Sequence, residues 1–168
     1  SKFIHHPFYK YPISNIKKQG AVATSRIDFD KHTDIIIKAN NIVNPDQRVD
    51  IYGSKNDLYI YHHIKNKLKL DINLYYKGRF KKCFKDLNNI LANAKYMVDL
   101  EAIYQGTVLI LNKKWVDNVN SLFIHGINCL VVKDEYELAT ILQSTNIDTE
   151  TIALEAKKLL KNHIKCQW

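Results

Sequence analysis

Short apolar runs alternate with amphipathic stretches along this chain. Ala21-Val22-Ala23-Thr24 after Gly20, Val49-Asp50-Ile51-Tyr52 before Gly53 and Asn73-Leu74-Tyr75-Tyr76 before Gly78 read as strands. Tyr96-Met97-Val98, Val108 to Leu111 and Cys129-Leu130-Val131-Val132 read the same way. The intervals carry helical spacing. Ile35, Ile36, Ala39, Ile42 and Val43 follow an expected N-cap at Asp30, and Asn44-Pro45-Asp46 ends that helix. Further helices are expected from Asp57 to Leu68, through Phe84, Leu87, Ile90 and Leu91, around Val119 to Phe123, and from Glu135 to Leu142. Glu101 to Tyr104 reads as the first turn of a short helix. Asp148 is placed to cap a last helix, with Ile147 and Ile152 as a hydrophobic staple and Ile152, Ala156, Leu159 and Leu160 as its apolar face.

Strand and helix in alternation predict an α/β fold, a parallel sheet between two helical layers in the Rossmann-like manner. The domain should occupy residues 20–147. Residues 1–19, aromatic and basic without periodicity, read as a linker or lead-in segment. Residues 148–168 form a C-terminal helix packing on the domain or crossing from it.

A chain of 168 residues fits one domain with its own core. No apolar run is long enough to span a bilayer, and the start lacks the apolar stretch of a signal peptide. The cysteines are Cys83, Cys129 and Cys166, odd in number and without a CxxC. That disfavours a disulfide framework and a zinc site and makes a cytoplasmic location the expectation. The pairs His5-His6 and His62-His63 point to different faces and have no Cys or acid to complete a ligand set, so no metal or cofactor is expected.

The net charge of +8 attracts anions. A phosphate-bearing small molecule accounts for it, as does a peripheral place on an anionic membrane. The sequence carries no RNP signature, zinc finger or arginine-rich arm, so nucleic acid is not expected.

In parallel sheets of this kind ligands bind beyond the carboxyl ends of the strands. The residues just past the predicted strands are therefore the candidates. Arg26 and Lys31 flank the first strand-to-helix turn. Arg26 is suited to grip a phosphate with two hydrogen bonds, and Lys31 to add a point charge. Gly53 with Ser54, and Gly78 with Arg79, follow the second and third strands, where glycine permits close backbone approach. Glu101 follows the fourth, where a carboxylate can accept hydrogen bonds from ribose hydroxyls. Each residue alone also has a plain reading as a surface charge, a turn glycine or a helix-start acid.

Five short motifs occur in order: Arg26-x-x-x-x-Lys31, Ile51-Tyr52-Gly53-Ser54, Tyr75-Tyr76-Lys77-Gly78, Leu100-Glu101-Ala102-x-x-x-Gly106, and Gly126-x-Asn128 before a strand. Over roughly residues 20–145 this order resembles the C-terminal, donor-binding domain of retaining glycosyltransferases of the GT-B architecture, the "glycosyl transferases group 1" type. The resemblance implies that Arg26 and Lys31 hold the diphosphate of a nucleotide-diphosphate sugar and that Glu101 binds its ribose. It implies that Gly53, Ser54 and Gly78 line the donor cleft, that Arg79 and Phe80 lie near the base, and that Gly106 and Thr107 continue the turn below the donor sugar.

The sequence departs from the family at three places, the last being Cys129, which stands where a Gly usually follows Asn128. Asn93 stands where the first acid of the family's E-x7-E motif belongs, Glu101 matching the second. Val98 and Glu101 also lie closer together than in the family, which carries a loop between them. The resemblance implies a hexosyltransferase whose acceptor, a glycan or other hydroxyl compound, is held by a preceding domain, so that this chain alone is inactive. The alternatives are a non-catalytic nucleotide-binding module and, further off, a basic nucleic-acid-binding domain.

Overall fold

The computed structural model describes residues 20–79, 94–97, 107–118 and 122–165. Six parallel strands form one sheet: β1 (Ala21–Ala23), β2 (Val49–Tyr52), β3 (Tyr76–Gly78), β4 (Tyr96–Met97), β5 (Val108–Asn112) and β6 (Leu130–Val132), in the order β3-β2-β1-β4-β5-β6. The order reverses between β1 and β4, the switch point at which doubly wound sheets open a crevice. Five helices accompany it among the described residues: α1 (Thr33–Ile42), α2 (Tyr59–Lys67), α3 (Lys113–Asn118), α4 (Glu135–Gln143) and α5 (Thr149–Lys165).

Side-chain alternation sorts the strands between two cores. Ala21, Ala23, Val49, Ile51, Val108, Ile110, Leu130 and Val132 join a larger cluster with Ile36, Ile37 and Ala39 of α1, Tyr59 and Ile64 of α2, and Leu138, Ile141 and Leu142 of α4. Val22, Leu109 and Leu111 join a smaller one with Ala156 of α5, against which Val116 of α3 packs. α5 reaches both, since its Ile152 and Ala153 belong to the larger cluster. The result is the expected three-layer α/β/α arrangement. No helix among the described residues is long and apolar enough to cross a membrane.

Several elements differ from the expectation. α1 starts at Thr33 and is preceded by His32 in the left-handed conformation, with no side-chain cap. Asp28, not Asp30, does the capping, of the short turn Phe29–Lys31. Ile36, Ile37, Ala39 and Val43 are the buried apolar positions, and Ile42 is exposed. α2 is wound in the wider π form, its end marked by an i→i+5 bond from the Leu68 N–H to the His63 carbonyl. The third strand begins at Tyr76, because Asp71 accepts from the Asn73 N–H and draws Ile72–Leu74 into a 3-10 turn. Of the helix expected at Val119 to Phe123, residues 119–121 lie outside the described ones; just before it the structure has a helix not read from the sequence, at Lys113–Asn118. There Asn112 accepts from the Lys114 N–H, and Lys113 pairs with Asp117 at 2.9 Å. Asp148 accepts from the Thr151 N–H and hydroxyl at the start of α5, and Ile147 packs on the cluster that holds Ile152. The expected helix at Phe84 to Leu91, the turn at Glu101 to Tyr104 and the lead-in at residues 1–19 lie outside the described residues.

Candidate functional site

The carboxyl ends of β1 and β2 are stitched into one surface. Ile27, in the loop after β1, is buried; its N–H donates to the Ser54 carbonyl (2.9 Å) and its own carbonyl accepts from the Asn56 N–H (3.0 Å). The loops meet at Gly53, whose φ is +134°. A Cβ there would stand 2.5 Å from the Ser25 carbonyl oxygen and 3.2 Å from its carbon. An L side chain is excluded on both conformation and space. Glycine was expected here so that a ligand could approach; the structure gives a further reason, the approach of one loop's backbone to the other. β3 is drawn in as well: the Gly53 N–H donates to the Gly78 carbonyl (3.1 Å), and the Gly53 carbonyl accepts from the Tyr76 hydroxyl (2.7 Å). Lys55 lies over the Tyr76 ring at 4.0 Å from its centroid. Gly78 has a φ of +111° and open space where a Cβ would go.

Arg26 projects from this surface and pairs with Asp28 (3.4 Å) and Asp30 (3.6 Å). Asp28 is held on several sides. It accepts from the Phe29 N–H (2.7 Å) and from the Asn56 side chain (3.0 Å), and these bonds, with the charge of Arg26, hold its carboxyl below the usual carboxylate range. Arg26 and Lys31 against Asp28 and Asp30 leave this turn formally neutral. Exposed ion pairs are weak because solvent screens both charges. With 58% of its side chain exposed, Arg26 is free to exchange these carboxylates for another anion at small cost.

Lys31 is exposed and forms no ion pair among the described residues. With His32, Ile110, Asn112 and Val132 it lines a cavity of about 30 Å³ by the carboxyl ends of β5 and β6. Ser54 is half-buried and Arg79 exposed, both at the joined strand ends. Thr107 does not belong with them. It is buried at the amino end of β5, and its hydroxyl donates to the Ala94 carbonyl (3.1 Å), which fixes the entry of β5 beside β4. Phe80, Glu101 and Gly106 lie outside the described residues.

The sequence pattern marks the cations of this turn as an anion grip and Asp30 only as an N-cap, and gives Asp28 no role. The i,i+4 spacing of Arg26 and Asp30 was the available signal. Asn56 carries no such signal, because its partner Asp28 is 28 residues away.

Above the joined loops, Tyr59 is buried and bonds the start of α1: its hydroxyl accepts from the Asp34 N–H (3.2 Å) and faces the Asp34 carboxylate. Burial, with the charge of Asp34, pushes the phenol above its ordinary range. Phe29, half-exposed, meets the Tyr59 ring edge-on at 4.6 Å. A larger cavity, about 330 Å³, opens at the opposite end of the sheet, lined by Gly20, Asp46, Gln47, Tyr96, Gln143 and Thr145 among others. It adjoins the amino ends of β1 and β4, away from the residues singled out above.

No family model and no curated protein matches this sequence. Solved structures do. Anabaena HepE in complex with UDP superposes with a TM-score of 0.68 at 19% identity, over 89% of this chain and 46% of that one. The C-terminal domain of LpcC from Francisella tularensis, a glycosyl transferase group 1 family protein, matches with a TM-score of 0.63 at 15% identity, over 89% of this chain and 87% of that one. The catalytic domain of the Helicobacter pylori cholesterol-alpha-glucosyltransferase matches with a TM-score of 0.61 at 15% identity, over 88% and 99% of the two chains. The chain spans about half the length of HepE. Its fold is the Rossmann-like α/β/α fold of the C-terminal domain of GT-B glycosyltransferases.

Proposed function

We propose that this chain is the donor half of a glycosyltransferase. It binds a nucleotide-diphosphate sugar at the carboxyl ends of β1, β2 and β3, for transfer of the sugar, a hexose, to an acceptor hydroxyl. The observation that carries the reading is the joined strand-end surface: Gly53 brings the β2 loop onto Ser25 and sets the exposed Arg26 at its rim, at the end of the sheet where such folds take nucleotides. HepE, which shares the fold, was solved with UDP.

Negative charge grows on the leaving diphosphate as the glycosidic bond breaks. Arg26, released from Asp28 and Asp30, supplies a bidentate partner and Lys31 a second positive charge. Fixed charge of this kind, aimed at the leaving group, is the usual dominant catalytic contribution. Ser54 and Gly78 line the cleft, Arg79 and Phe80 flank the base, and Glu101 takes the ribose; for Phe80 and Glu101 the support is the motif alone. The acceptor is held by a preceding domain, so this chain by itself transfers little or no sugar.

Calorimetric titration of UDP, GDP and ADP into the domain tests the reading. Selective binding of one diphosphate, lost in the Arg26→Ala, Lys31→Ala double variant, is the expected result. Absence of binding both here and in a longer chain carrying the preceding domain would refute it. The carboxylates on Arg26 and Asn93 at the family's first acid position favour a second reading, a nucleotide-binding module without transfer activity. Nucleotide binding without sugar transfer by the longer chain would select that second reading.

A further inference from the structure

The α2–β3 edge of the domain joins exposed apolar groups to a concentration of positive charge. Residues 55–79 contain six cations, Lys55, Lys65, Lys67, Lys69, Lys77 and Arg79, against two acids, Asp57 and Asp71. None of the six cations forms an ion pair among the described residues. α2 turns Tyr59 and Ile64 into the core and leaves Tyr61, His62, Lys65 and Lys67 outside, with Leu58 exposed just before it. Leu58 is 66% exposed and Tyr61 55%, and Lys65 sits 5.9 Å from the centre of the Tyr61 ring. Leu74, next to the edge strand, is 66% exposed. Exposed apolar side chains also occur elsewhere on the described surface, but here Leu58 and Tyr61 stand beside a cluster of cations, a combination suited to an anionic, partly apolar partner.

We propose that the outward surface of α2 and of the residues flanking it docks on an anionic lipid bilayer, with Lys65, Lys67 and Lys69 on the headgroups and Leu58 and Tyr61 in the headgroup–acyl boundary. Charge complementarity requires an anionic occupant, since the edge has an excess of four positive charges (six cations less two acids). The apolar groups select among anions. A phosphate backbone offers Leu58 nothing, whereas a bilayer takes up an aliphatic side chain and an amphipathic tyrosine at its boundary. The lysines are long enough to keep their ammonium groups at the headgroups while their stems lie along the interface.

The test is co-sedimentation of the full chain with vesicles of phosphatidylcholine and phosphatidylglycerol, and with vesicles of phosphatidylcholine alone. Binding is expected to the anionic vesicles only and to weaken with salt. Lys65→Gln, Lys67→Gln, Lys69→Gln together should lower the partition coefficient on the order of a hundredfold. Leu58→Ser with Tyr61→Ser should lower it with all charges kept. A triple variant of equal charge loss on other elements, Lys114→Gln, Lys157→Gln, Lys158→Gln, should retain most of the binding. Circular dichroism of each variant confirms the fold. The proposal is overturned if anionic vesicles are not bound at low salt, or if both triple variants lose binding equally. It is also overturned if random oligonucleotides are bound through Lys65, Lys67 and Lys69 while vesicles are not.

Discussion

The carbonyl oxygen of Ser25 lies 2.5 Å from where a Cβ on Gly53 would be, so the close packing of the β1 and β2 loops depends on the absence of a side chain at one position. Gly53→Ala must move a main-chain atom and also hold a φ of +134°. It should destabilise the domain by about 1–3 kcal/mol or more. Gly78→Ala faces conformational strain without a clash and should cost less. Urea denaturation of the two variants decides: equal losses would mean that the Ser25 contact does not matter.

Asn40 serves β2 from α1. Fully buried, it donates to the Val49 carbonyl (2.9 Å) and accepts from the Val49 N–H (2.8 Å), acting as an extra rung at the start of the strand. Asn40→Leu preserves volume and leaves both main-chain groups without partners. The expected loss is about 2–5 kcal/mol, from two unsatisfied groups. A loss below that of an ordinary surface substitution in thermal or urea melts would show that water replaces the side chain.

Asp28 and Asp148 are each held below the ordinary carboxylate range. For Asp28 the largest cause is the Phe29 N–H, and for Asp148 the Thr151 hydroxyl. A carboxyl whose folded pKa is lowered stabilises the fold above its unfolded value of 3.8, and the contribution disappears as pH falls through the folded value. Wild type should therefore exceed Asp28→Asn and Asp148→Asn in stability at neutral pH, with the gaps closing on the acid side. A gap that persists unchanged well below pH 3.8 would assign these bonds no linkage to protonation.

Cys129 is fully buried beside Leu109 and Leu111, and burial pushes its thiol up to about 11. At neutral pH it should resist alkylation in the native protein and react at the rate of global unfolding. Peptide mapping after timed iodoacetamide treatment reads this directly. Rapid native labelling at that site would place it at a locally opening edge.

Much of the fold was legible in the sequence because aliphatic runs such as Val108 to Leu111 and Leu130 to Val132 have one stable use, a strand covered on both faces. β3 was displaced because its start depends on an Asp71 turn and on an edge pairing with Ile51 and Tyr52. The π winding of α2 was hidden because only Tyr59 and Ile64 of its nine residues are buried, and two anchors do not fix a helical period. At the site, Arg26, Gly53 and Gly78, picked out by their strand-end positions, lie together on one surface. Thr107 was misplaced because it precedes its strand, at the sheet's other end. The ion pairs on Arg26 and the Asn56 bond to Asp28 depend on how the loop closes, and local spacing records that closure only at Arg26 and Asp30.

The most direct test of a nucleotide site at the carboxyl ends of the sheet is amide chemical-shift mapping of the labelled domain during titration with UDP, and with GDP and ADP in parallel. The account predicts saturable shifts at Ser25, Arg26, Gly53, Ser54 and Gly78 for one of the three, with little change around the 330 Å³ cavity at Gly20, Gln47 and Thr145. Shifts confined to that amino-end cavity, or no saturable change with any of the three, would contradict it.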